Sequence, residues 1–417
     1  MSTAPQGETA VPPAGPILPP LALYLHFPWC VSKCPYCDFN SHALRDELPE
    51  ARYVATLLED FGAQAGRAAG RTIFSVFLGG GTPSLFSPTA LGDLLHAVGR
   101  LLPIDVNAEI TLEANPATVE RGRFAEYAAA GINRVSLGAQ SFDGETLRRL
   151  GRIHKPDDVF RAAEELHASG LANFNLDLMF ALPEQSPAGA LADLATALSL
   201  HPAHLSHYHL TLEPGTLFAA QPPPLPDDET AWSMQGDCQA VLEAEGYAQY
   251  EVSAFSKPGR QCRHNLNYWQ FGDYLGVGAG AHGKLTREAS AAERVAGCGR
   301  LVVERSTHLR EPRRYFAAAS RGPEWRQIAA GDLPFEFAMN QLRLNAGFAE
   351  EAFTRRTGLP ASAIASTLHL LATQKLLERG NPDVGSLWQT TVRGRQLLND
   401  VVQRFLPESI SEAGTRS

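Results

Sequence analysis

Short apolar runs alternate with amphipathic stretches along the first half of the chain. Six runs predict buried strands, at 21–27, 73–78, 108–114, 134–139, 173–179 and 204–212. The stretches between them repeat apolar residues at helical spacing, as in RYVATLLEDFGAQ and DVFRAAEELHASG. The chain therefore predicts a series of strand–helix units.

Repeated strand–helix units favour a parallel sheet, because parallel neighbours need long crossover connections that helices provide. Six units are too few for the usual eight-fold barrel. We therefore predict an α/β fold in the form of an incomplete (β/α)6 parallel barrel. An open, doubly wound sheet is the alternative arrangement.

Proline runs and a change of pattern predict the domain organisation. The run QPPPLPDDE at 221–229 marks a boundary, since successive prolines continue neither a helix nor a strand. From Pro334 onward the pattern is helical, apart from a short strand, SLWQTTV, before the last helix. The predicted parts are a disordered tail at 1–20, the barrel at 21–220, an extension at 221–330, a winged-helix-like domain at 331–408 and a tail at 409–417.

Composition and charge narrow the class of protein. The net charge of -9 disfavours nucleic acid as a partner, so we interpret the winged-helix-like part as a packing or docking domain. No apolar run has the length of a membrane-spanning helix, and the first twenty residues lack the features of a signal peptide. Three of the six cysteines lie within eight positions, unlike a disulfide framework. We expect a soluble cytoplasmic protein.

The crowded cysteines are Cys30, Cys34 and Cys37, directly after the first predicted strand. Soft thiolates favour zinc or an iron–sulfur cluster. A structural zinc site needs a fourth ligand, which His26 or His42 would have to supply. A four-iron cluster on three cysteines leaves one iron open, which suits catalysis or ligand capture. The spacing favours a cluster and leaves zinc as the alternative.

Glycine and polar residues occur where the predicted strands end. They are Gly80, Gly81, Thr82, Glu113, Gln140, Arg152 and Asp177. Barrel enzymes build their sites at this end of the strands. Glu113 and Asp177 suit ribose hydroxyls, Gln140 and Arg152 suit a polar or anionic group, and the glycine turn lets the backbone approach an amino acid. Together they predict a site for a nucleoside–amino acid conjugate.

Residues 21 to about 405 resemble the radical S-adenosylmethionine family that includes the oxygen-independent coproporphyrinogen III dehydrogenases, and in particular its HemW branch. The segments that carry the resemblance are HFPWCVSKCPYCDFNSH, FLGGGTPS, RVSLGAQSF, NLDLMFALPEQ and HNLNYW at 264–269. The resemblance implies a [4Fe–4S] cluster on the three cysteines, with S-adenosylmethionine chelating the fourth iron. It also implies that Tyr24 lies beside the cluster, that Tyr36 lies near the adenine, and that the strand-end residues line the cofactor.

Two features favour heme handling over porphyrinogen oxidation. The dehydrogenase branch typically carries a further cysteine two positions after the third, where this chain has Phe39. The HNLNYW segment resembles the element that marks HemW proteins, which bind heme and pass it to acceptors. His264 is therefore a candidate axial ligand of heme iron, with a buried hydrogen-bonding role as the alternative and Cys262, two residues upstream, as an alternative soft ligand.

We accordingly predict a heme chaperone that carries a [4Fe–4S] cluster, S-adenosylmethionine and heme. Its expected partners are a heme-acceptor protein and an electron donor, together with a second copy in a homodimer and a peripheral contact with the membrane. One alternative is an enzyme, an oxygen-independent coproporphyrinogen III dehydrogenase that uses radical chemistry on a propionate side chain. Another is a zinc-stabilised interaction module.

Overall fold

A computed structural model describes residues 18–117, 123–295, 299–380 and 387–407. The predicted tail at 1–20 lies outside these ranges except for its last three residues. The predicted tail at 409–417 lies wholly outside them.

Six parallel strands form the centre of one sheet, and helices connect them. The elements of this part are β1 (Leu21–Phe27), β2 (Trp29–Cys30), β3 (His42–Ala43), α1 (Glu50–Ala65), β4 (Ile73–Gly80), α2 (Pro88–Leu101), β5 (Ile104–Ala114), α3 (Arg123–Ala129), β6 (Arg134–Gln140), α4 (Gly144–Arg149), α5 (Pro156–Ala168), β7 (Phe174–Phe180), α6 (Pro187–Ser199) and β8 (His204–His209). The neighbours in the sheet follow the order β1-β4-β5-β6-β7-β8, all parallel. Each predicted run falls on one of these strands, which confirms the predicted parallel α/β fold.

The sheet continues beyond both ends of this series. The elements that follow are α7 (Leu217–Ala220), α8 (Asp228–Ala244), β9 (Ala248–Glu251), β10 (Ala254–Ser256), α9 (Arg263–Trp269), β11 (Asp273–Val277), β12 (His282–Glu288), α10 (Ala291–Val295), β13 (Leu301–Thr307), α11 (Pro312–Ala318) and β14 (Glu324–Gln327). Strand β11 pairs parallel with the free side of β1, and β12 to β14 extend that edge antiparallel. At the other edge, β10 and β9 pair antiparallel next to β8. The segment expected to form a separate extension therefore shares one sheet with the six strands.

The C-terminal part has a hydrophobic core of its own, which includes Phe337, Phe353, Leu368 and Val401. Its elements are α12 (Leu333–Gln341), α13 (Glu350–Thr357), α14 (Ser362–Thr373), β15 (Leu377–Arg379), β16 (Trp388–Thr390), α15 (Val392–Gln396) and α16 (Leu398–Gln403). The segment SAIASTLHLLATQKLLE predicts one helix over 362–378, but α14 ends at Thr373. Lys375 takes a left-handed backbone conformation, with φ of 57°, which a helix cannot continue. The residues after it pair with β16 instead.

The helices pack their apolar faces against the sheet, as α2 shows. Ser87 caps its first turn by accepting a hydrogen bond from the backbone N–H of Ala90, and Pro88 occupies the first helical position. Leu91, Leu94 and Val98 recur on one face and are buried. No helix within the described ranges is both long and apolar enough to cross a membrane.

Alternation along β1 separates the core from the interior of the barrel. Leu23, Leu25 and Phe27 belong to the hydrophobic core, together with residues of α1. Tyr24 points the other way and lines a cavity on the inner face of the sheet. The same alternation in the neighbouring strands places their polar side chains inside this cavity.

A buried cluster of charges joins β11 to the rest of the sheet. The Asp273 carboxylate is fully buried and accepts from Arg71 Nη1 at 2.9 Å and from Lys284 Nζ at 2.8 Å. It also accepts from the backbone N–H and the hydroxyl of Thr286, at 2.9 and 2.8 Å. With these donors its lone pairs are well satisfied, so a buried charge is tolerated here.

Removal of this carboxylate should destabilise the protein strongly. In Asp273→Asn, Lys284 and Arg71 keep their buried charges without a counterion, and we expect the free energy of unfolding to fall by about 3–5 kcal/mol. Urea denaturation followed by circular dichroism measures the change. Glu145→Gln is the control, because Glu145 pairs with Arg148 and Arg149 on the surface, where such pairs contribute about 0–1 kcal/mol. Equal effects of the two substitutions would contradict this account.

Candidate functional site

One cavity brings together all of the site residues predicted from the sequence. Its volume is ≈ 620 Å³, within the range of roughly 300–1,000 Å³ that is typical of small-molecule sites. It opens at the carboxyl ends of the parallel strands. The predicted residues that line it are Tyr24, Cys30, Cys34, Tyr36, Cys37, Gly80, Gly81, Thr82, Glu113, Gln140, Arg152, Asp177 and His264.

The three cysteines lie on a single loop at the mouth of this cavity. Each is a free thiol and is partly buried. The loop closes on itself through the hydrogen bond from the Cys37 N–H to the Cys34 carbonyl at 3.2 Å, and through the Leu44 N–H to the Cys30 carbonyl at 2.8 Å. Burial raises the pKa of both Cys30 and Cys37. These thiols become good ligands when a bound metal stabilises their deprotonated form.

The geometry fits an iron–sulfur cluster better than a single zinc ion. His26 has both ring nitrogens engaged, Nδ1 with the Tyr24 hydroxyl and Nε2 with the Asn40 carbonyl, each at 2.9 Å. His26 would have to give up one of these bonds to bind zinc, while His42, the other candidate fourth ligand, has a buried Nε2 without a partner among the described residues. In the described part of the chain, no group of three His, Cys, Asp or Glu side chains is arranged to hold one ion. The thiols that hold a four-iron cluster do not have to converge on a single ion, because each cysteine binds a different iron.

His26 links the cysteine loop to its surroundings. Its Nε2–H donates to the Asn40 carbonyl, so Nδ1 accepts from the Tyr24 hydroxyl. Burial lowers the pKa of His26 to about 4, which keeps the ring neutral in this role. The Asn40 side-chain amide then donates to the carbonyls of Ala279 and Arg310, at 2.8 and 2.9 Å. The loop is thus held both by β1 and by the segments on either side of β12 and β13.

The glycine turn after β4 packs against the cysteine loop. A Cβ atom on Gly81 would lie 2.7 Å from the Phe27 carbonyl oxygen and 2.6 Å from that of Trp29. One on Gly80, whose φ is 108°, would meet the His26 ring at 2.3 Å. These positions therefore require glycine. The Thr82 N–H donates to the Trp29 carbonyl at 2.8 Å, which fixes the turn in place.

Two carboxyl groups face the cavity from β5 and β7. Glu113 accepts from the Gly80 N–H at 2.9 Å, and burial raises its pKa from 4.5 to about 8. Asp177 accepts from Ser136 at 3.2 Å and from Asn175 at 2.8 Å. Burial also raises the pKa of Asp177. Both groups are placed to accept hydrogen bonds from a ligand that carries hydroxyls.

Gln140 and Arg152 lie together at the end of β6. Gln140 has φ of 67°, a left-handed conformation that is uncommon for a residue other than glycine, at a register shift between β6 and β7. Arg152 Nη2 donates to the Gly138 carbonyl at 2.6 Å, and its Nη1 lies 3.8 Å from the Cys34 sulfur. Its Nε is buried and has no partner within the described residues. Backbone strain and an unsatisfied donor often mark a ligand site.

The two predicted aromatic residues, Tyr24 and Tyr36, both line the cavity. Tyr24 lies beside Phe77, with ring centroids 6.3 Å apart, and its hydroxyl is taken by His26. Tyr36 packs near Phe218, also at 6.3 Å. Their predicted contacts with the cluster and the adenine stay predictions.

Helix α9, which contains HNLNYW, covers the end of the cavity opposite the mouth. The His264 side chain is 1% exposed and lies over Phe77, with ring centroids 5.0 Å apart. Its Nδ1 lies 3.2 Å from the Ser75 hydroxyl, and its Nε2 lies 3.0 Å from the Tyr268 hydroxyl. Burial lowers the pKa of His264 to about 3, so the imidazole is neutral.

Sequence reasoning missed several polar residues deeper in the cavity. They are Arg134, Ser136, Asn175 and Ser206. They precede the strand ends by two or more positions on the same inward face. Every second residue of β6, counted back from Gln140, is Gly138, Ser136 and then Arg134. The two-residue period of a strand could therefore have predicted that Ser136 and Arg134 face the cavity.

Models of two protein families match this chain. The Radical SAM superfamily matches residues 24–195, and the HemN C-terminal domain matches residues 328–397. The first range holds the cysteine loop and every strand-end residue described above. The second range lies in the C-terminal part.

The chain is also similar to several individual proteins, to two of the three named here over nearly its whole length. The heme chaperone HemW of Escherichia coli (strain K12) is 48% identical over 94% of this chain and 99% of its own length. The heme chaperone HemW of Haemophilus influenzae is 44% identical over 94% of this chain and 100% of its own length. The mitochondrial radical S-adenosyl methionine domain-containing protein 1 of Bos taurus is 40% identical over 63% of this chain and 60% of its own.

A solved structure shares the fold. Coproporphyrinogen III oxidase (HemN) from Escherichia coli, a radical SAM enzyme, superposes with a TM-score of 0.76 over 93% of this chain and 90% of that one. The two sequences are 22% identical, so the likeness supports the fold alone.

The cysteine loop should hold iron. We expect Cys30→Ala, Cys34→Ala and Cys37→Ala each to lose the bound iron and the broad visible absorption of an anaerobically reconstituted preparation, because each removes one ligand. Iron analysis and absorption spectra measure both. Cys238→Ala is the matched control, since Cys238 is a buried thiol on α8 outside the cavity. A colourless wild-type protein with one tightly held zinc would contradict the assignment.

The buried Glu113 should make the stability of the cofactor-free protein depend on pH. Its carboxyl has a higher pKa in the folded state, so folded chains keep a proton that unfolded chains release between about pH 5 and pH 8. The free energy of unfolding should therefore fall as the pH rises through this window, by up to about 1.4 kcal/mol per pH unit. In Glu113→Gln this contribution should disappear.

Urea denaturation at a series of pH values tests this prediction. Glu59→Gln, at an exposed position on α1, should keep the wild-type dependence. Because the other buried carboxyls titrate in all three proteins, the difference between the curves isolates Glu113. Parallel curves for wild type and Glu113→Gln would show that its carboxyl is ionised across this range.

Proposed function

The chain belongs to the HemW family of radical S-adenosylmethionine proteins, and on that premise we propose that it binds heme and delivers it to acceptor proteins. Membership of the radical SAM superfamily implies a [4Fe–4S] cluster and S-adenosylmethionine. The close relatives over nearly the whole chain are heme chaperones.

The residues of the cavity suit each part of these cofactors. We propose that Cys30, Cys34 and Cys37 bind the cluster. Glu113 and Asp177 would accept hydrogen bonds from ribose hydroxyls, and Gly80, Gly81, Thr82, Gln140, Arg152, Tyr24 and Tyr36 would line S-adenosylmethionine. When bound, the cluster and S-adenosylmethionine supply one-electron chemistry. The protein contributes a closed pocket with donors and acceptors already in place.

An apolar rim around the mouth of the cavity is the observation that carries the heme proposal. Val31 and Phe39 on the cysteine loop and Ile153, next to Arg152, all line the cavity and are 47%, 59% and 43% exposed. Exposed apolar groups gathered around a pocket are typical of binding sites. A flat, largely apolar macrocycle that enters the cavity would cover them. Phe39 stands where the dehydrogenase branch typically has a cysteine.

His264 is the proposed axial ligand of the heme iron. Its low pKa keeps the imidazole in the neutral form that binds metals. Both nitrogens are hydrogen bonded, so Nε2 would exchange its bond with Tyr268 for the iron. His209 lies in the cavity wall near the mouth, 5.3 Å from the ring of Phe180. It is a further imidazole that heme could reach, beside the deeper His204, whose two nitrogens are hydrogen bonded to Asn175 and Tyr250.

The alternative function is that of an oxygen-independent coproporphyrinogen III dehydrogenase. The observation that favours it is the complete set of groups at the cofactor end of the cavity, from the three cysteines to Glu113 and Arg152. The likeness to HemN concerns the fold, at 22% identity. Phe39 argues against this alternative.

We also propose the remaining partners on the same premise. They are an acceptor protein for heme, an electron donor, a second copy of the chain and a peripheral contact with the membrane, in a cytoplasmic setting. The net charge of -9 supports a partner other than nucleic acid.

Heme titration tests the proposal. Hemin added to the purified protein under nitrogen should produce a shifted Soret band in the wild type. In His264→Ala we expect binding to weaken by more than about tenfold, because even groups that only orient a metal ligand contribute that much. Tyr268→Phe is the matched control, since it removes the same hydrogen bond but keeps the imidazole, and it should bind like the wild type.

Other outcomes would change the assignment. An unchanged Soret band in His264→Ala, together with the loss of this band in His209→Ala, would identify His209 as the ligand of the heme iron in place of His264. Conversion of coproporphyrinogen III to protoporphyrinogen by the anaerobically reconstituted protein with a reductant would reject a function restricted to heme delivery.

A further inference from the structure

An arginine side chain lies deep in the cavity without a partner. Arg134 lines the cavity and is 2% exposed. Among the described residues, no hydrogen bond or ion pair joins its guanidinium to another group, and its Nε is buried and unsatisfied. A buried charge normally costs folding free energy unless it is paired. A guanidinium kept in this state has its donors available for a ligand.

The acceptors around Arg134 are committed to other donors. Glu109 accepts from the His264 N–H at 3.1 Å and from the Cys262 thiol at 3.6 Å. Asp177 accepts from Ser136 and Asn175. Both carboxylates are near enough for their charges to raise the pKa of Arg134, but within the described part of the chain neither forms an ion pair with its guanidinium.

The remaining polar groups beside it also satisfy one another. The Asn175 carbonyl oxygen lies 2.6 Å from His204 Nδ1 and 3.1 Å from the Ser206 hydroxyl. His204 Nε2 lies 2.8 Å from the Tyr250 hydroxyl. Among the residues that the structure describes here, this network leaves Arg134 with an unused donor, its Nε.

The backbone of Arg134 lies at the opposite end of β6 from the cluster end, while its guanidinium is near enough to Asp177 for that carboxylate to raise its pKa. Arg134 begins β6 and Gln140 ends it, and six residues at roughly 3.3 Å each separate their backbones by about 20 Å. Arg152, beside the Cys34 sulfur, is the guanidinium at the cluster end. The carboxylate of S-adenosylmethionine, expected at the open iron, therefore belongs near Arg152 and not near Arg134.

We propose that Arg134 binds a propionate carboxylate of a tetrapyrrole that enters the cavity from its apolar mouth. The proposal rests on heme binding and specifies how the ligand is oriented. Arg134 and His264 line the same closed end of the cavity, so the propionate edge of the macrocycle would meet a cation there. A planar guanidinium matches a carboxylate with two parallel hydrogen bonds.

A comparison of hemin with its dimethyl ester, in which the propionate carboxylates are esterified, tests this proposal. Hemin and hemin dimethyl ester are titrated into the full-length, anaerobically reconstituted protein, and the Soret band reports both affinities. Wild type should prefer hemin by about tenfold or more, since only hemin offers the carboxylate to Arg134. Arg134→Gln should bind the two compounds equally, at the affinity that wild type has for the ester.

Two further variants separate this contact from a loss of folding. Arg134→Lys keeps the charge without the planar fork and should retain part of the preference for hemin. Arg305→Gln, at an arginine paired with Glu336 and Tyr274 outside the cavity, should retain all of it. If Arg134→Gln does not fold, the partial preference in Arg134→Lys still tests the contact.

The outcomes distinguish this proposal from the function on which it rests. Wild-type protein that binds neither compound would reject heme binding itself. Wild-type protein that binds both equally, or an Arg134→Gln protein that keeps the preference, would overturn the role of Arg134 alone. Weaker binding of S-adenosylmethionine by Arg134→Gln, with hemin unaffected, would also overturn it by assigning Arg134 to the cofactor.

Discussion

The site depends on the parallel alignment of six strands in one sheet. Parallel pairing brings all their carboxyl ends to one edge, and the two-residue period of each strand sends every second side chain to the inner face. The cysteine loop, the glycine turn, Glu113 and Gln140 come from different strands and meet there for this reason. A shift of one residue in any pair would turn the polar side chains of that strand into the helical layer.

This alignment concentrates ionisable groups in a poorly solvated space. Glu113 and Asp177 have raised pKa values because burial opposes their charged forms, and His264 has a lowered pKa for the same reason. Arg134 stays charged without a paired carboxylate. Buried ionisable groups of this kind lower the stability of the folded protein, because they lose their contact with water. A ligand that supplies the missing hydrogen-bond partners offsets this desolvation cost and therefore binds more tightly. The polarity of the cavity is therefore better explained by ligand binding than by stability.

The part of this arrangement that the sequence predicts is the part governed by local pattern. The strand runs, the helices between them and the residues at the strand ends are visible because hydrophobic period and turn chemistry act over a few residues. The place of strand β11 could not be predicted in this way, because its pairing with β1 joins segments about 250 residues apart along the chain. The burial of Arg134 was not predicted, because a charged residue at the start of a strand resembles an ordinary surface position. The placement of α9 at the closed end depends on bonds such as that from the His264 N–H to Glu109, which no local pattern reveals.

These long-range contacts also decide how the cofactor end and the HNLNYW helix are related. Asn40 on the cysteine loop is anchored to Ala279 and Arg310, and β11, which leads to Ala279, begins a few residues after α9. The cysteine loop and α9 are thus attached to the same strand, one at each of its ends. A ligand at the closed end and a cofactor at the mouth contact walls of one continuous sheet, so binding at either place restricts the same backbone. An apolar mouth and a cationic closed end would then orient an amphipathic ligand in one direction only, with its carboxylate inward and its apolar edge toward an acceptor.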